Sequence, residues 1–290
     1  MRKYDHHHPF ISYAQNYEDV MLERALQHIE KGFYIDIGAA SPHEDSVTKA
    51  FYNLGWRGIN IEPNAEYYAQ LQAHRPHDTN LAVVINQHEG EFPMQFITYP
   101  TGEPTGLSTL NADIATQHVQ NGLSLKTQKV NAVTLEFIWK QYVPKNQEVH
   151  FLKIDVEGSE KSVLQSKDWT HGRPWIVLLE ATWPDLSAYQ DWEPILLNAD
   201  YQFAYADGLN RFYIANEHID LLPQFQYPPN VFDSFIRQEQ QSALTRAHKA
   251  EAELHYLLTS SSWRITGRIL WARLQAHKPT FSGKSKKLKN

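Results

Sequence analysis

The segment from Gly32 to Tyr68 most constrains the fold, because apolar runs alternate with amphipathic stretches at a short pitch. In GFYIDIGAASPHEDSVTKAFYNLGWRGINIEPNAEYY, two isoleucine-rich runs, GFYIDIG and GINIEP, flank the stretch HEDSVTKAFYNLG. Short apolar runs bounded by Gly and Pro are typical of buried strands, and the stretches between them predict helices. Strands that alternate with helices in this way predict a parallel sheet.

Further segments extend this alternation along the chain. The runs TNLAVVI, VHFLKIDVEG and PWIVLLEAT predict three more strands, and SYAQNYEDVMLERALQHIE predicts an amphipathic helix before the first strand. Residues 86–131 interrupt the pattern with an extra strand, EFPMQFITYP, and a polar insertion that we expect to be rich in loops. In YQFAYADGLNRFYIAN, Asp207 and Gly208 separate two apolar runs, which predicts a hairpin. We therefore expect an α/β fold: a mixed, mostly parallel sheet with a C-terminal antiparallel hairpin and helices on both faces.

The composition changes after Phe235, where the strand signals end. The stretch RQEQQSALTRAHKAEAELHYLLTSSSWRITGRILWARLQ has high helix propensity, and KPTFSGKSKKLKN is polar and basic. We therefore predict one folded domain over residues 1–236 that includes an N-terminal helix, a helical tail over 237–276, and a basic, disordered C-terminus over 277–290.

The charge is distributed unevenly between these parts. Residues 260–290 contain eight Lys and Arg residues and no acid, so the remainder carries a net charge of −14 within a total of −6. An acidic body argues against nucleic acid as a partner. The apolar residues among the arginines of SSSWRITGRILWARLQ favour docking on a partner helix or on an anionic membrane surface, and packing against the body is the alternative. The sequence leaves a homo-oligomer open.

Two absences limit the chemistry and the location. The chain has no cysteine, which excludes disulfides, thiolate metal sites and cysteine nucleophiles. No apolar run approaches the roughly 18 residues of a membrane span, and no secretory signal follows MRKYDHHHPF. We therefore expect a cytoplasmic protein, with the basic tail as a means of peripheral contact with the inner membrane face.

Acidic residues end four of the predicted strands: Asp36, Glu62, Asp155 and Glu180. Ligands of open α/β sheets bind at the carboxyl ends of the strands. Glu62 follows Gly38 by 24 residues, close to the roughly 20-residue spacing at which an acid accepts hydrogen bonds from ribose hydroxyls. A carboxylate there also disfavours the 2′-phosphate of NADP. The alternative is that Asp36 caps its turn and Glu62 caps the next helix.

The turn after Gly38 departs from the dinucleotide-binding pattern G-x-G-x-x-G, because Ala39, Ala40, Ser41 and Pro42 follow it. A turn without the second and third glycines is poorly suited to a diphosphate. S-adenosylmethionine contains adenosine and no phosphate, and its positive charges suit a turn that begins at an acid. The spacing by itself leaves both NAD and S-adenosylmethionine open.

The segment LKIDVEGSE contains the sharpest motif of the sequence. Alternate residues of an extended segment face the same way, so Asp155 and Glu157 can point to one side, and Lys153 alternates with them. The alternative is an ordinary strand exit in which Glu157 and Glu160 complement the N-terminus of the next helix.

At this point the chain resembles the FkbM-type family of S-adenosylmethionine-dependent methyltransferases. The matching segments are SYAQNYEDVML, GFYIDIGAASPHEDSVTKAFYNLGWRGINIEPN, GLSTL, FLKIDVEGSEKSVL, RPWIVLLEAT and DGLNRFYIA. The resemblance implies a class I, Rossmann-like methyltransferase fold that methylates oxygen, often a sugar hydroxyl of a polysaccharide or a glycosylated metabolite. By position, Asp36 and Gly38 match the first cofactor motif, Glu62 the ribose-binding acid and Asp155 the acid after the fourth strand. The basic tail is also similar to a segment found on enzymes of bacterial surface-polysaccharide pathways.

Candidate roles follow for the remaining residues. We expect Asp155 to be the general base, with Glu180 and His43 as alternatives. Asp155, Glu157 and Glu180 offer oxygen ligands for Mg²⁺, although the same acids can serve without a metal. We predict that Gln15 and Asn16 cover the cofactor as a lid and that Ala39 in the turn contacts it. The predicted contacts to the acceptor are Ser108, Thr109 and Trp183. For these residues, local hydrogen bonding or core packing is the alternative.

Three classes of function remain. The first is an O-methyltransferase that acts on a sugar or glycan. The second is an NAD-dependent oxidoreductase, which the single-glycine turn disfavours. The third is a non-catalytic module that retains the fold and binds a partner.

Overall fold

The computed structural model describes Tyr4, residues 8–181 and 188–260, Ile269 and Ala272. The chain divides into two compact units, Met1–Arg237 and Gln238–Asn290. The finer domain boundaries remain a prediction.

The first unit alternates strands and helices along most of its length. Its strands are β1 Phe10–Ser12, β2 Phe33–Ile37, β3 Arg57–Ile61, β4 Thr79–Leu81, β5 Val84–Ile85, β6 Gly90–Thr98, β7 Ser124–Val133, β8 Phe151–Ile154, β9 Ile176–Glu180, β10 Tyr201–Ala206, β11 Asn210–Ala215 and β12 Phe235–Arg237. Its α-helices are α1 Glu18–Leu26, α2 Lys49–Asn53, α3 Ala65–His74, α4 Ala112–Gln120, α5 Leu135–Tyr142, α6 Glu160–Gln165 and α7 Glu193–Asn198. Three 3-10 helices cover Ala188–Asp191, Asn216–Phe225 and Val231–Asp233.

Seven strands form the main sheet in the order β10-β11-β9-β8-β2-β3-β4. The strands from β9 to β4 are parallel, whereas β11 runs antiparallel to both β9 and β10. This mostly parallel sheet with an antiparallel hairpin at one edge confirms the predicted class I methyltransferase fold. The strand order reverses between β2 and β8, and the crevice at the carboxyl ends of these strands is where such sheets bind ligands.

Both faces of the sheet are buried, which explains why its strands are almost continuously apolar. On β2, Ile35 and Ile37 belong to the core cluster on one face, and Tyr34 belongs to the cluster on the other face together with Phe51 and Trp56. Side chains alternate across a strand, so Asp36 shares the face of Tyr34 rather than that of its two isoleucine neighbours.

The insertion differs from the expected polar loop. It contains α4 and β7, and β7 pairs with β6 over nine residues and with β5, forming a second sheet in the order β5-β7-β6. Most side chains of β7 are exposed, so the strand lacks the apolar run from which the other strands were predicted. The predicted strand TNLAVVI is also divided, since β4 joins the main sheet and β5 joins the second sheet.

Two helices are shorter than predicted. The helix α1 begins at Glu18 instead of Ser12, and α2 begins at Lys49, beyond the acidic residues that we expected in its first turn. The buried Arg75 explains the second difference, because its guanidinium donates hydrogen bonds to the Pro42 carbonyl at 2.9 Å and to the Ser46 hydroxyl at 3.0 Å. These bonds fix the preceding segment as a loop.

In the second unit, the structure describes a helix, α8, over Gln238–Thr259, and none of its residues is buried. Most residues of the basic segment that we expected to bind a partner helix or a membrane lie outside the described part of the chain. Among the described residues, no helix is both long enough and apolar enough to cross a membrane.

Candidate active site

A cavity of about 460 Å³ lies at the carboxyl ends of β2, β3, β8 and β9. Of the site residues predicted from the sequence, those that line it are Gln15, Gly38, Ala39, Glu62, Ser108, Asp155, Glu157 and Glu180. Parallel strands end at a common edge, which explains how acids far apart in the sequence reach one cavity.

The turn after β2 forms part of the cavity wall. Gly38 adopts a left-handed conformation with φ of 78°, and a Cβ atom there would lie 1.8 Å from the backbone oxygen of Asp155. The glycine is therefore required by the approach of the neighbouring strand end and not only by a ligand. The amides of Gly38 and Ala39 both donate to the carbonyl of Ile61, which fixes the turn to β3.

Glu62 is buried at the end of β3 and faces the cavity. Its Oε2 accepts a hydrogen bond from the Ala40 amide at 2.8 Å, and its Oε1 accepts one from the Asn64 amide at 2.7 Å. Burial raises the pKa of Glu62 to about 7 despite these two bonds. A carboxylate oxygen has two lone pairs, so each oxygen retains capacity for a ligand hydroxyl.

Asp36 does not line the cavity, which corrects the expectation that it contacts a cofactor. Its carboxylate is buried, accepts a hydrogen bond from the Thr48 hydroxyl at 2.9 Å and lies 3.4 Å from the ammonium of Lys153. The cause is the sheet register, because Asp36 lies directly opposite Lys153 on the neighbouring strand β8. Asp36 therefore supports the site from the buried face of the sheet, through its ion pair with Lys153.

Lys153 is a site residue that sequence reasoning missed. Its Nζ donates to the Gly38 carbonyl at 2.8 Å and lies 3.2 Å from Oδ2 of Asp155, in addition to its ion pair with Asp36. Burial by itself lowers the pKa of Lys153, but the attraction of Asp155 and Asp36 outweighs it and raises the pKa above the usual range. Its alternation with Asp155 in LKIDVEG was the signal that could have identified it.

Three acids meet in the cavity lining. One carboxylate oxygen from each of Asp155, Glu157 and Glu180 lies within 4.8 Å of the other two. Burial, followed by repulsion from the neighbouring carboxylates, raises the pKa of Glu157 and of Glu180 above that of an ordinary glutamic acid. Such a cluster either retains protons or receives a cation. An oxygen-rich donor set of this size suits Mg²⁺.

Thr109 does not line the cavity, which corrects its prediction as an acceptor contact. Its side chain is fully buried, and its hydroxyl donates to the backbone carbonyl of Glu157 at 2.6 Å. The neighbouring Ser108 does line the cavity. The Ser108 hydroxyl also accepts a hydrogen bond from the Ile97 amide at 3.3 Å.

The segment before α1 forms a fixed rim of the cavity. Asp19 is buried and accepts hydrogen bonds from the Ser12 hydroxyl and from the amides of Tyr13 and Ala14. This anchoring places Gln15 at the cavity. Asn16 points elsewhere, since its side-chain amide donates to the carbonyl of Asp207 at 3.5 Å, and the prediction that it covers the cofactor as part of a lid is corrected.

His43 also lies outside the cavity, which corrects its prediction as a general base. Its exposed ring packs edge-on against His74 with 4.4 Å between the ring centroids. His43 comes soon after the Gly38 turn in the sequence. It lies outside the cavity because this segment bends toward Arg75, which binds the carbonyl of the neighbouring Pro42. Trp183 lies outside the described residues.

Tyr67 is a second cavity residue that the sequence did not identify. It projects from α3, and its hydroxyl donates to the carbonyl of Pro104 in the insertion at 3.2 Å. Burial and the nearby Glu62 raise the pKa of Tyr67 to about 12, so it remains a neutral hydrogen-bonding group.

Comparison with known proteins gives one family match. The model of the methyltransferase FkbM domain matches residues 36–203. Among solved structures, the chain is similar to precorrin-6y C5,15-methyltransferase from Geobacter metallireducens GS-15, with 13% sequence identity and a TM-score of 0.33. That match covers 70% of this chain and 92% of the other. No curated protein shows significant similarity in sequence.

Proposed function

This chain belongs to the FkbM methyltransferase family, and from that premise we propose that it is an S-adenosylmethionine-dependent O-methyltransferase that acts on a sugar hydroxyl of a polysaccharide or glycosylated metabolite. The observation that carries the proposal is that one cavity contains both Glu62 and Asp155. The first suits the ribose of an adenosine cofactor, and the second suits the proton of an acceptor hydroxyl.

The residues of the cavity fit S-adenosylmethionine. The volume of the cavity is within the roughly 300–1,000 Å³ range of cofactor sites. Both carboxylate oxygens of Glu62 can still accept a hydrogen bond from a ligand. The turn at Gly38 is not glycine-rich, so it suits a cofactor without a diphosphate. The acids Asp155, Glu157 and Glu180 favour a ligand with positive charge. When bound, S-adenosylmethionine supplies a methyl group already activated by its sulfonium.

Asp155 is the proposed general base. Asp155 would accept the proton of the acceptor hydroxyl as that oxygen takes the methyl group, and S-adenosylhomocysteine would leave as the neutral thioether. The ammonium of Lys153 lies 3.2 Å from Oδ2 of Asp155 and holds this carboxylate in place. Burial and the neighbouring carboxylates raise the pKa of Glu180, so it can retain its proton and donate a hydrogen bond to an oxygen of the acceptor.

A divalent cation at the same acids is the second candidate arrangement. It is favoured by the closeness of the three carboxylate oxygens, all within 4.8 Å of one another. In this arrangement Asp155, Glu157 and Glu180 would hold Mg²⁺, which lowers the pKa of a bound hydroxyl. The reaction type would be unchanged.

The family resemblance supports a sugar acceptor, and the second sheet supports an acceptor of some size. Residues that precede α4, including Ser108, form part of the cavity wall. Loops and insertions on such sheets commonly determine specificity. The basic tail as a contact for a membrane surface or a partner helix remains a separate proposal.

Isothermal titration with S-adenosylhomocysteine tests the cofactor. We expect binding by the wild type and at least about tenfold weaker binding by Glu62→Gln, because hydrogen bonds to a charged group are lost. Glu66→Gln is the control and should bind normally, since Glu66 is an exposed acid in the first turn of α3. NADH should not bind. Binding of NADH in place of S-adenosylhomocysteine would instead favour an oxidoreductase.

Transfer of a labelled methyl group to a panel of oligosaccharides and nucleotide sugars tests the acceptor. Labelled product with one member of the panel, abolished in Asp155→Asn, is the expected result. Cofactor binding without transfer to any sugar, together with transfer to a non-sugar hydroxyl, would overturn the sugar assignment.

A further inference from the structure

We propose that Thr109 is a positioning residue that holds Glu157 in the acid cluster, so that the second sheet determines the geometry of the proposed methyl-transfer site. This inference rests on the proposed function. Thr109 touches neither the cavity nor the acids directly, and it acts only through the backbone of Glu157.

Thr109 is rigidly fixed on the second sheet. Its amide and carbonyl exchange hydrogen bonds with those of Gln95 on β6, at 3.0 and 2.9 Å. Its hydroxyl accepts from the Asn111 amide at 2.9 Å while it donates to the Glu157 carbonyl at 2.6 Å. Both functions of the hydroxyl are therefore used, and the side chain has no exposed surface.

The backbone that receives this bond is in an unfavourable conformation. Glu157 has φ of 52° and the next residue, Gly158, has φ of 92°. A non-glycine residue in the left-handed region persists only where its surroundings hold it. A Cβ atom at Gly158 would lie 2.4 Å from Cδ1 of Ile114 on α4, so the insertion meets this turn at two consecutive residues.

The other two acids of the cluster have a different support. The Asp155 amide donates to the Ile37 carbonyl at 3.0 Å, and Glu180 pairs with Asn210 in the ladder between β9 and β11. Both are held by the main sheet. Glu157 lies outside those ladders. The Glu160 carboxylate accepts hydrogen bonds from the amides on either side of Glu157, those of Val156 and Gly158, and Thr109 holds the carbonyl of Glu157 itself.

Through its bond to Glu157, Thr109 therefore connects the second sheet with the charge around the methyl group. The sulfonium of S-adenosylmethionine is positive, whereas S-adenosylhomocysteine, which lacks the methyl group, has a neutral thioether, and the remaining atoms of the two ligands are the same. A carboxylate held near the methyl group therefore favours S-adenosylmethionine over S-adenosylhomocysteine. Displacement of Glu157 should reduce this preference and leave the shared adenosine contacts at Glu62 unchanged.

The experiment compares Thr109→Val, which removes the hydroxyl at nearly constant shape, with Thr109→Ser, which retains it. Thr127→Val is the control, because Thr127 also donates a hydrogen bond on the second sheet, to the side chain of Gln95 at 2.7 Å, but is exposed. Binding of both ligands is measured in the same buffer, without added divalent cations.

For Thr109→Val we expect S-adenosylhomocysteine affinity within about twofold of wild type, and a loss of roughly three- to tenfold in the preference for S-adenosylmethionine, the range of one net hydrogen bond. Thr109→Ser and Thr127→Val should keep the wild-type preference. An unchanged preference in Thr109→Val, or an equal loss of affinity for both ligands, would overturn the proposal.

Amide hydrogen exchange in residues 156–160 provides a readout that needs no ligand. We expect faster exchange there in Thr109→Val and not in Thr127→Val. If the wild type binds neither ligand, the proposed function fails, and the exchange result alone decides whether the second sheet holds Glu157. Unchanged exchange in Thr109→Val would refute that support.

Discussion

Lys153 and Asp155 form an ion pair of 3.2 Å in which the lysine side chain is 9% exposed and the aspartate side chain 35% exposed. The same ammonium group reaches Asp36 at 3.4 Å and donates to the Gly38 carbonyl at 2.8 Å. One buried cation therefore connects the turn after β2 with the proposed base after β8. We therefore expect the stability of this sheet edge to depend on it.

Replacement of Lys153 tests this connection. Lys153→Met leaves the buried carboxylate of Asp36 without its cation, so we expect a decrease of about 3 kcal/mol or more in the free energy of unfolding. Lys153→Arg retains the positive charge and should lose clearly less. Urea denaturation of both variants measures the difference, and equal stability of Lys153→Met and wild type would show that the ion pair contributes nothing.

The pH dependence of cofactor binding should report the ionisation of Glu62. Its pKa in the ligand-free protein is about 7, so the carboxylate is mostly protonated at pH 6 and mostly ionised at pH 8. The ionised form accepts both ribose hydroxyls, and we expect S-adenosylhomocysteine affinity to rise by roughly tenfold over this range. Titrations at pH 6, 7 and 8 measure it. Glu62→Gln should show a much flatter profile, and an equally steep one would assign the effect to another group.

The acid cluster makes a distinct prediction about cations. If Asp155, Glu157 and Glu180 hold Mg²⁺, millimolar Mg²⁺ should raise the melting temperature of the wild type and should not raise that of Glu180→Gln. The effect should increase with pH, because the raised pKa values of Glu157 and Glu180 mean that protons compete with the cation. Thermal unfolding with Mg²⁺ or a chelator measures this, with Glu66→Gln as the control. Full methyl transfer in the presence of a chelator would assign the acids to proton chemistry alone.

The sequence predicted the strand-end acids because their positions follow from the fold alone. Glu62, Asp155 and Glu180 each end a parallel strand, and such ends share one edge of the sheet. Asp36 was expected to follow the same rule, but it lies one residue before the end of β2, opposite Lys153, and its side chain is on the buried face. The direction of a side chain at a strand end depends on the pleat and on the neighbouring register, which a single segment does not contain.

The contacts of the insertion were harder to predict for a related reason. Thr109 and Ser108 are adjacent in the sequence, but only Ser108 lines the cavity, and Thr109 binds the backbone of a residue 48 positions away. The strand β7 is mostly exposed, so the apolar alternation on which strand prediction depends is weak there. Pairing with distant partners determines both features.

His150 should make the stability depend on pH in acid. Its Nδ1 accepts a hydrogen bond from the Phe33 amide at 3.1 Å, and it packs among Trp56, Trp175 and, beyond them, His218. Burial, with smaller contributions from the nearby His218 and His28, lowers the pKa of His150 to about 4. In the unfolded chain, His150 therefore binds a proton below about pH 6.5. In the folded chain it binds this proton only below about pH 4.

The sign follows from this difference in proton binding. The contribution of neutral His150 is fully present above pH 6.5 and is lost as the pH falls toward 4. His150→Asn keeps an acceptor for the Phe33 amide and removes the titration. We expect the wild type to lose stability relative to His150→Asn between pH 6.5 and 4.5, measured by urea denaturation. A constant difference between the two proteins over this range would contradict the assignment.

Replacement of Gly38 separates steric approach from backbone strain. Gly38 and Gly55 have similar left-handed conformations, with φ of 78° and 93°, but a Cβ at Gly38 meets the Asp155 backbone at 1.8 Å while nothing lies within 4 Å of one at Gly55. Gly55→Ala should therefore cost only the left-handed strain, about 1–2 kcal/mol. Gly38→Ala should cost more in free energy of unfolding, because β8 must move, and it should weaken S-adenosylhomocysteine binding. If the two variants lose equal stability and both bind the ligand normally, the close approach of the Asp155 backbone does not determine the residue at position 38.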